Sequence, residues 1–364
     1  MKSLLQYSPA STMAQIHLTH TLLSHLLLTF LSLSTAAHIP AVIVFGDSTV
    51  DPGNNNVIPT ILRSDFPPYG RDFQNGKPTG RFCNGRLPTD FISEAIGLPP
   101  LVPAYLDPAY GIEDFAKGVS FASAGTGLDS ATSDVLAVIP LWKEVEYFKE
   151  YQKKLRKYVG EARAKYIVNE AIYIISIGTN DFLENYFAVV TGRILQLPVD
   201  KFEDFLVSQA AEFLTNIYRL GARKISFAGL SPIGCLPLER TANVIGKDGC
   251  NEKYNQVARD FNAKLQRMIA DLCTKLPGLR LRYSGVYDRV LQLINNPSHY
   301  GLENVEEGCC GTGKFEMGFL CDSKCPLTCP DANKYLFWDA FHPTEKVNRL
   351  MAGLTLSTGL REFI

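Results

Sequence analysis

The feature that most constrains the fold of this chain is the alternation of short apolar runs with stretches of helical periodicity. Apolar residues recur at spacings of three and four over residues 202–218 and 254–276, and Gly221 is placed to end the first of these helices. Five apolar runs predict strands at residues 41–45, 118–122, 171–177, 224–229 and 279–287. This alternation predicts parallel strands joined by crossover helices on both faces of one sheet. No repeat or linker interrupts residues 38–364, so a single domain is expected.

A long loop-rich stretch, residues 52–103, is rich in Pro, Gly, Asn and Arg and is predicted to contain only a short helix near residues 89–96. Loops of this size in a compact domain usually carry function or wall a site. In a doubly wound sheet, ligands bind outside the carboxyl ends of the strands. Ser48, residues 125–127 and Asn180 each follow a predicted strand, so we expect them near that edge.

The charge balance gives no support for a nucleic-acid partner. Lys and Arg total 36 against 37 Asp and Glu. One basic cluster occurs, at Lys153, Lys154, Arg156 and Lys157. The apolar positions of the same predicted helix are Trp142, Val145, Phe148, Tyr151, Leu155 and Tyr158. The spacing predicts a solvated basic face opposite a packed one.

The N-terminal segment, residues 1–37, is predicted to be a cleaved secretory signal. Residues 21–33 are apolar, and the small residues Ser34, Thr35, Ala36 and Ala37 follow them. The apolar stretch is too short to span a bilayer but has the length of a signal-peptide core. We therefore expect an exported protein without a membrane span.

The nine cysteines fit the oxidising compartment that such a signal implies. We predict that Cys235 pairs with Cys250, because they bracket a short turn-rich loop between a strand and a helix, and that Cys273 is unpaired and buried. Five others lie in a Gly-rich region, at Cys309, Cys310, Cys321, Cys325 and Cys329. No Cys-x-x-Cys pair occurs and no histidine lies within this cluster, so neither a metal nor another cofactor is expected.

Ser48 is a candidate nucleophile, because the apolar run in VIVFGDS ends on this serine. The alternative is an ordinary strand followed by a polar turn. A nucleophilic serine needs a base, which is usually histidine. Four of the six histidines lie in the predicted signal or at the new N-terminus, which leaves His299 and His342. His299 lies in a turn-like stretch with no carboxylate near it in sequence, so we expect it at the surface.

His342 lies in FWDAFHPTEK, three residues after Asp339 and directly before Pro343. Proline disfavours helical geometry in the residue before it, so we expect His342 on a loop before a helix that Thr344 caps. A carboxylate three positions away on the same loop can fix the tautomer and orientation of the imidazole. The alternative, a helix N-terminus with acidic neighbours, accounts for Asp339 but not for the histidine.

Two further segments supply hydrogen-bond donors of the kind an acyl-transfer site needs. ISIGTND places the Asn180 side-chain amide at a strand end. FASAGTG places glycine backbone where close approach is favourable. Each is an ordinary turn composition by itself. Their positions after separate strands favour a site.

Together these segments resemble the plant GDSL esterase/lipase family of the SGNH hydrolases over nearly all of residues 40–350. FGDSTVDPGNNN is similar to the first block of that family, GVSFASAGTG to the second, IGTND to the third and FWDAFHPTEK to the last. GKPTGRFCNGR, GLSPIGCLP and GCCGTG are similar to the plant branch. No Gly-x-Ser-x-Gly elbow occurs, which argues against an ordinary α/β-hydrolase.

The resemblance implies a three-layer α/β/α fold with a flavodoxin-like, mostly parallel sheet. It implies Ser48 as nucleophile, His342 as base and Asp339 as the carboxylate that orients it. It also implies an oxyanion hole made by the backbone N–H groups of Ser48 and Gly125 and the side-chain amide of Asn180.

The expected function is that of a secreted serine esterase or lipase that hydrolyses acyl esters through an acyl-enzyme. An acyltransferase would use the same residues and differ only in the acceptor. A non-catalytic cell-wall binding protein is a further alternative, against which the intact Ser48, Asn180, Asp339 and His342 count. The substrate is left open among lipids, cutin-type polyesters and acetylated polysaccharides, and so is the acyl length.

Overall fold

A five-stranded parallel sheet lies at the centre of the structure, a computed structural model that describes residues 39–187, 193–243 and 249–364. Its strands are β1 (Val42–Gly46), β2 (Gly118–Ser120), β3 (Ile172–Ser176), β4 (Lys224–Ala228) and β5 (Arg280–Ser284). They lie in the order β2-β1-β3-β4-β5, and every neighbouring pair is parallel. This is the flavodoxin-like order of a doubly wound sheet, so the predicted fold class is confirmed.

Helices cover both faces of the sheet. In the described residues the α-helices are α1 (Pro88–Ala95), α2 (Ile112–Phe115), α3 (Ser130–Leu136), α4 (Leu141–Val159), α5 (Glu161–Glu170), α6 (Val199–Arg219), α7 (Pro237–Ala242), α8 (Glu252–Lys275), α9 (Val286–Asn295) and α10 (Glu345–Ser357). Helices α4, α5, α6 and α8 pack on one face. Helix α1 packs on the other face beside α10, which contributes Ala352 to the smaller core and Val347 and Met351 to the larger one. The result is three layers, α/β/α.

The sheet separates two apolar cores because side chains along a strand alternate between its faces. Phe45, Tyr173 and Phe227 point into the larger core beneath α4, α6 and α8. Val44 and Ile174 point into the smaller core beneath α1 and α10. Because both faces are buried, the strands appear in the sequence as continuous apolar runs rather than as alternating patterns.

All five predicted strands are confirmed, with ends that differ by at most three residues. The prediction for residues 279–287 was too long, because β5 ends at Ser284 and Tyr287 belongs to α9.

The predicted helix over residues 142–158 is α4, but two of the apolar residues predicted to lie on its packed face are exposed. Trp142 and Tyr158 are 59% and 53% exposed, since they lie at the ends of the helix beyond the edge of the core.

A second, two-stranded parallel sheet, β6 (Asn304–Gly308) with β7 (Tyr335–Phe337), was not predicted. Two disulfides, Cys309–Cys329 and Cys310–Cys321, fasten the chain between its strands. The backbone N–H of Cys310 donates to the carbonyl of Trp338 at 2.7 Å. The disulfide-bonded segment therefore supports the loop that begins at the end of β7.

The predicted Cys235–Cys250 disulfide is confirmed, and three cysteines are free: Cys83, Cys273 and Cys325. Cys273 is unpaired as predicted but only half-buried.

The predicted signal peptide, residues 1–37, lies outside the described residues. Within the described parts of the chain, no helix combines the length and apolarity needed to cross a bilayer.

The acidic side chain of Glu144, on α4, is fully buried against the sheet. Its Oε2 accepts a hydrogen bond from the backbone N–H of Gly46, the last residue of β1, at 3.0 Å. Burial raises the pKa of Glu144 well above its ordinary value, and the nearby carboxyls of Asp51 and Asp47 raise it further. At neutral pH we therefore expect Glu144 to be a neutral acid that joins α4 to the end of β1.

This expectation is tested by replacing Glu144 with glutamine, which keeps an acceptor for Gly46 but cannot titrate. The unfolded chain releases the Glu144 proton near pH 4.5, whereas the folded protein keeps it to higher pH, so the stability that Glu144 contributes falls as pH rises. The Tm of Glu144→Gln minus that of the wild type should therefore increase from about pH 5 to about pH 8. Glu144→Ala should melt below both proteins, because it leaves a cavity and an unpaired N–H. A Tm difference between the glutamine variant and the wild type that is the same at every pH would contradict a neutral Glu144.

Candidate active site

Ser48 lies on the turn that follows β1, at the carboxyl edge of the sheet. The turn starts at Gly46, where φ is +136° and a Cβ atom would lie 1.9 Å from the carbonyl oxygen of Ser176 on β3, so only glycine fits. Asp47 then holds the turn, because its Oδ1 accepts hydrogen bonds from the backbone N–H and the hydroxyl of Thr49 at 3.0 and 2.6 Å. Ser48 is buried within this turn.

Ser48, His342 and Asp339 form one chain of hydrogen-bonding groups. The Ser48 Oγ lies 2.8 Å from the Nε2 of His342. The other ring nitrogen, Nδ1, lies 2.9 Å from each carboxylate oxygen of Asp339. With Nδ1 protonated toward Asp339, Nε2 is free to accept the serine proton, which is the arrangement that activates a serine hydroxyl.

The carboxylate of Asp339 is fully buried and is held by four donors. Besides His342 Nδ1, the backbone N–H groups of Phe341 and His342 donate to Oδ1 at 2.9 and 2.7 Å. The hydroxyl of Tyr69 donates to Oδ2 at 2.7 Å. Burial, and then the charge of Asp339, raises the pKa of Tyr69 well above its ordinary value, so this hydroxyl stays a donor. Sequence reasoning missed Tyr69, because it lies 270 positions from Asp339.

The loop geometry predicted for His342 is confirmed. Thr344 is the N-cap of α10, and its hydroxyl accepts from the backbone N–H of Val347. The backbone N–H of Trp338 donates to the carbonyl of His342 at 2.7 Å, which closes the loop. The ring of Phe82 packs 4.9 Å from the imidazole. His299 is exposed, as predicted.

Asn180 and Gly125 line the same cleft as Ser48 and His342, which we call the Ser48 cleft. One N–H of the buried Asn180 side-chain amide donates to the carbonyl of Thr126 at 3.0 Å, which leaves the second N–H for a ligand. Gly125 has φ +89°, and a Cβ there would lie 2.7 Å from the side chain of Leu62. The glycine therefore keeps the backbone close to the cleft.

The residues just after Ser48 hold the loop that carries Gly125. Asp51 accepts from the backbone N–H of Ala124 at 3.0 Å. Asn54 donates to the carbonyls of Ser120 and Ala122, and Asn55 donates to that of Ala124 at 2.9 Å. Sequence reasoning treated these residues as part of a turn. Their side chains in fact bind the loop after β2. The sequence feature that could have indicated this role is the unusual run of three asparagines shortly after Asp51.

Asp181 plays a comparable role from the loop after β3. Its carboxylate accepts from the backbone N–H groups of Leu128 and Asp129 and from the hydroxyl of Thr132, at 2.7 to 2.9 Å. Burial raises its pKa to about 7, against the effect of these donors. Asp181 thus ties the segment after Gly125 to the helical turn that begins beside Asn180.

Comparison with known proteins agrees with this geometry. A family model described as GDSL-like Lipase/Acylhydrolase matches residues 42–354. The chain belongs to this family. A GDSL esterase/lipase of Arabidopsis thaliana is 58% identical over 329 residues, which are 90% of this chain and 93% of the relative. A second, from the same plant, is 56% identical over 93% of this chain and 97% of the relative.

Membership of the GDSL family makes the chain a serine hydrolase that acts on ester bonds. Within the described residues, no group of three or more His, Cys, Asp or Glu side chains is arranged to hold a metal ion. The polar groups of the Ser48 cleft come instead from loops after β1, β2, β3 and β7.

The contact between Tyr69 and Asp339 can be tested by Tyr69→Phe, which removes one donor to a buried carboxylate and keeps the ring. We expect esterase kcat to fall by roughly ten- to a hundredfold, the usual worth of a hydrogen bond to a charged group. Tyr158→Phe, at an exposed tyrosine at the end of α4, is the matched control and should behave as wild type. Unchanged kcat in a well-folded Tyr69→Phe protein would show that the remaining donors position Asp339 without the phenol.

Proposed function

We propose that this protein is a secreted esterase in which Ser48 is the nucleophile, His342 the general base and Asp339 the carboxylate that orients it. The proposal also assigns the backbone N–H groups of Ser48 and Gly125 and the Asn180 amide to the oxyanion hole. Acyl esters are its substrates, and an acyl-enzyme is its intermediate.

The observation that carries the proposal is the continuous path of hydrogen-bonding contacts from Ser48 Oγ through His342 to Asp339. A structural role alone does not require a buried serine hydroxyl to face an imidazole whose other nitrogen faces a carboxylate. The arrangement joins loops that are 294 residues apart in the chain.

The chemistry follows from this path. As Ser48 Oγ attacks the ester carbonyl, its proton passes to His342 Nε2, and the carbonyl oxygen becomes an oxyanion. Collapse of the tetrahedral intermediate breaks the bond to the leaving alcohol, which takes the proton from Nε2. Water then attacks the acyl-enzyme and gives a proton to Nε2. The second tetrahedral intermediate breaks its bond to Ser48 Oγ, which takes that proton from Nε2, and the acid is released.

Secretion is the second part of the proposal. A signal peptide over residues 1–37 would deliver a single domain, residues 38–364, to the exterior of the cell. Three disulfides support this location, because such bonds persist in oxidising compartments and are rare in the cytosol.

The nucleophile is tested with a fluorophosphonate probe, which forms a covalent bond to an activated serine. We expect the wild type to be labelled at Ser48 and the Ser48→Ala protein to be neither labelled nor active on esters. Ser208→Ala, at an exposed serine of α6, is the matched control and should be labelled as wild type. Labelling that persists in Ser48→Ala would refute the assignment. Transfer of the acyl group to added alcohols in preference to water would make the protein an acyltransferase.

Substitution of Asn180 distinguishes a role in the oxyanion hole from a purely structural role in the turn after β3. Asn180→Ala should lower kcat by roughly 10² to 10³, the usual cost of one oxyanion donor. Asn180→Asp should be at least as inactive near neutral pH, because it places negative charge against the developing oxyanion. The Tm of each variant, measured beside its kcat, decides between the oxyanion-donor role and the structural role. A large fall in kcat at nearly unchanged Tm supports the donor role, and wild-type kcat in a folded Asn180→Ala protein excludes it.

A further inference from the structure

A second cavity, mostly apolar, opens at the same carboxyl edge of the sheet and extends between the sheet and α10. Its volume is about 160 Å³. Its floor includes Ser176 of β3, Ser226 of β4 and Ser284 of β5, and its roof includes Met351 and Thr355 of α10. We call it the apolar cavity. None of the reaction steps assigned to Ser48, His342 and Asp339 uses it.

The cavity exists because one row of the sheet carries small residues. In the strand register, Gly46 pairs with Ser176, Ser176 with Ala228, and Ala228 with Ser284. The row nearest the carboxyl edge is therefore Gly, Ser, Ala and Ser from β1 to β5. Three residues of this row, Ser176, Ala228 and Ser284, line the cavity. Protein interiors are normally filled to the density of organic crystals, so these small side chains leave space that α10 does not fill.

The apolar cavity and the Ser48 cleft are neighbours. Phe341 lines both of them. The cavity is also lined by Thr49 and Pro343, the residues that directly follow Ser48 and His342. Phe341 is thus a shared wall between the reacting groups on one side and an apolar space on the other.

We propose that the apolar cavity is the binding site for the alkyl chain of the ester substrate, which passes Phe341 with its carbonyl at Ser48. This inference rests on the proposed function and narrows it to esters that carry an extended aliphatic chain. Short acetyl esters would leave the cavity empty and gain nothing from it. A polar substituent such as a sugar ring would lose its hydration against the aliphatic walls at Ile92, Val290 and Met351.

The dimensions suit this ligand. An engineered apolar cavity of about 150 Å³ in another protein binds benzene. Each methylene moved from water into such a space contributes about fourfold in affinity. Gly359 lies close to two residues of the floor, since a Cβ there would lie 3.7 Å from the hydroxyl of Ser226 and 4.0 Å from Cβ of Ser284. The side chains around Ser226 and Ser284 therefore set the length of alkyl chain that fits.

Two substitutions change the cavity in opposite directions. Ser226→Leu fills it from β4, and Met351→Ala enlarges it from α10. The readout is kcat/KM for p-nitrophenyl acetate, octanoate and dodecanoate, each below its micelle concentration. We expect the wild type to prefer the longer esters and Ser226→Leu to lower the dodecanoate-to-acetate ratio at least about tenfold, since several methylenes are displaced. Met351→Ala should move the preference toward longer chains.

A matched control is Ser208→Leu, the same change at an exposed position of α6 on the opposite side of the sheet. It should keep the wild-type ratio. If Ser226→Leu does not fold, Ser284→Leu makes the same change from β5. Opposite shifts in chain preference cannot come from partial unfolding, which lowers all rates together. The proposal would be overturned if the folded cavity-filling and cavity-enlarging variants kept the wild-type dodecanoate-to-acetate ratio, or if the wild type preferred acetate.

Failure of the proposed function gives a different result. In that case Ser48→Ala would retain turnover, or the wild type would hydrolyse none of the esters. The cavity is then tested without catalysis, by the rise in Tm that decanol causes in Ser48→Ala and in Ser48→Ala combined with Ser226→Leu. Ligand binding to the folded state raises Tm by mass action. A decanol-induced rise in Tm that occurs in Ser48→Ala but not in the double variant supports alkyl-chain binding in the cavity. The same change in Tm in both proteins contradicts it.

Discussion

The parallel register of β1 and β3 sets the position of everything else at the site. Gly46 lies directly against Ser176, at a distance that leaves no room for a side chain. Because the strands are parallel, both end at the same edge, and the loops that follow them carry Ser48 and Asn180 to one place. A change in the register of this pair by one residue would turn every side chain of a strand to the opposite face. It would also move the serine away from the cleft.

The irregular loops at this edge depend on buried carboxylates. Loop N–H groups have no strand or helix partner, and an unpaired buried N–H is costly. Asp47, Asp51 and Asp181 accept from loop N–H groups near the site. Burial raises the pKa of Asp47 and of Asp51 to about 6, while the N–H donors act in the opposite direction. The loops are thus fixed from within by side chains of their own segments and of neighbouring loops.

Much of this architecture was predictable because its signals are local. Continuous apolar runs identified all five central strands, and Pro343 and Thr344 identified the loop before α10. The second sheet was missed because β6 and β7 are short, polar in part and held by disulfides rather than by an apolar pattern. Tyr69 was missed for a different reason. A hydrogen bond between residues so far apart in the chain leaves no trace in local spacing.

The sequence by itself determined the class of fold, the sheet-edge position of Ser48 and Asn180, and the pairing of Asp339 with His342 on one loop, because each depends on residues near one another in the chain. The tertiary structure decided the rest. Only the strand register shows that Gly46, Ser176, Ala228 and Ser284 form one row of small residues, and only the packing of α10 over that row leaves the apolar cavity open. The physical reason is that a cavity belongs to no single segment, since it is the space that several distant segments together fail to fill.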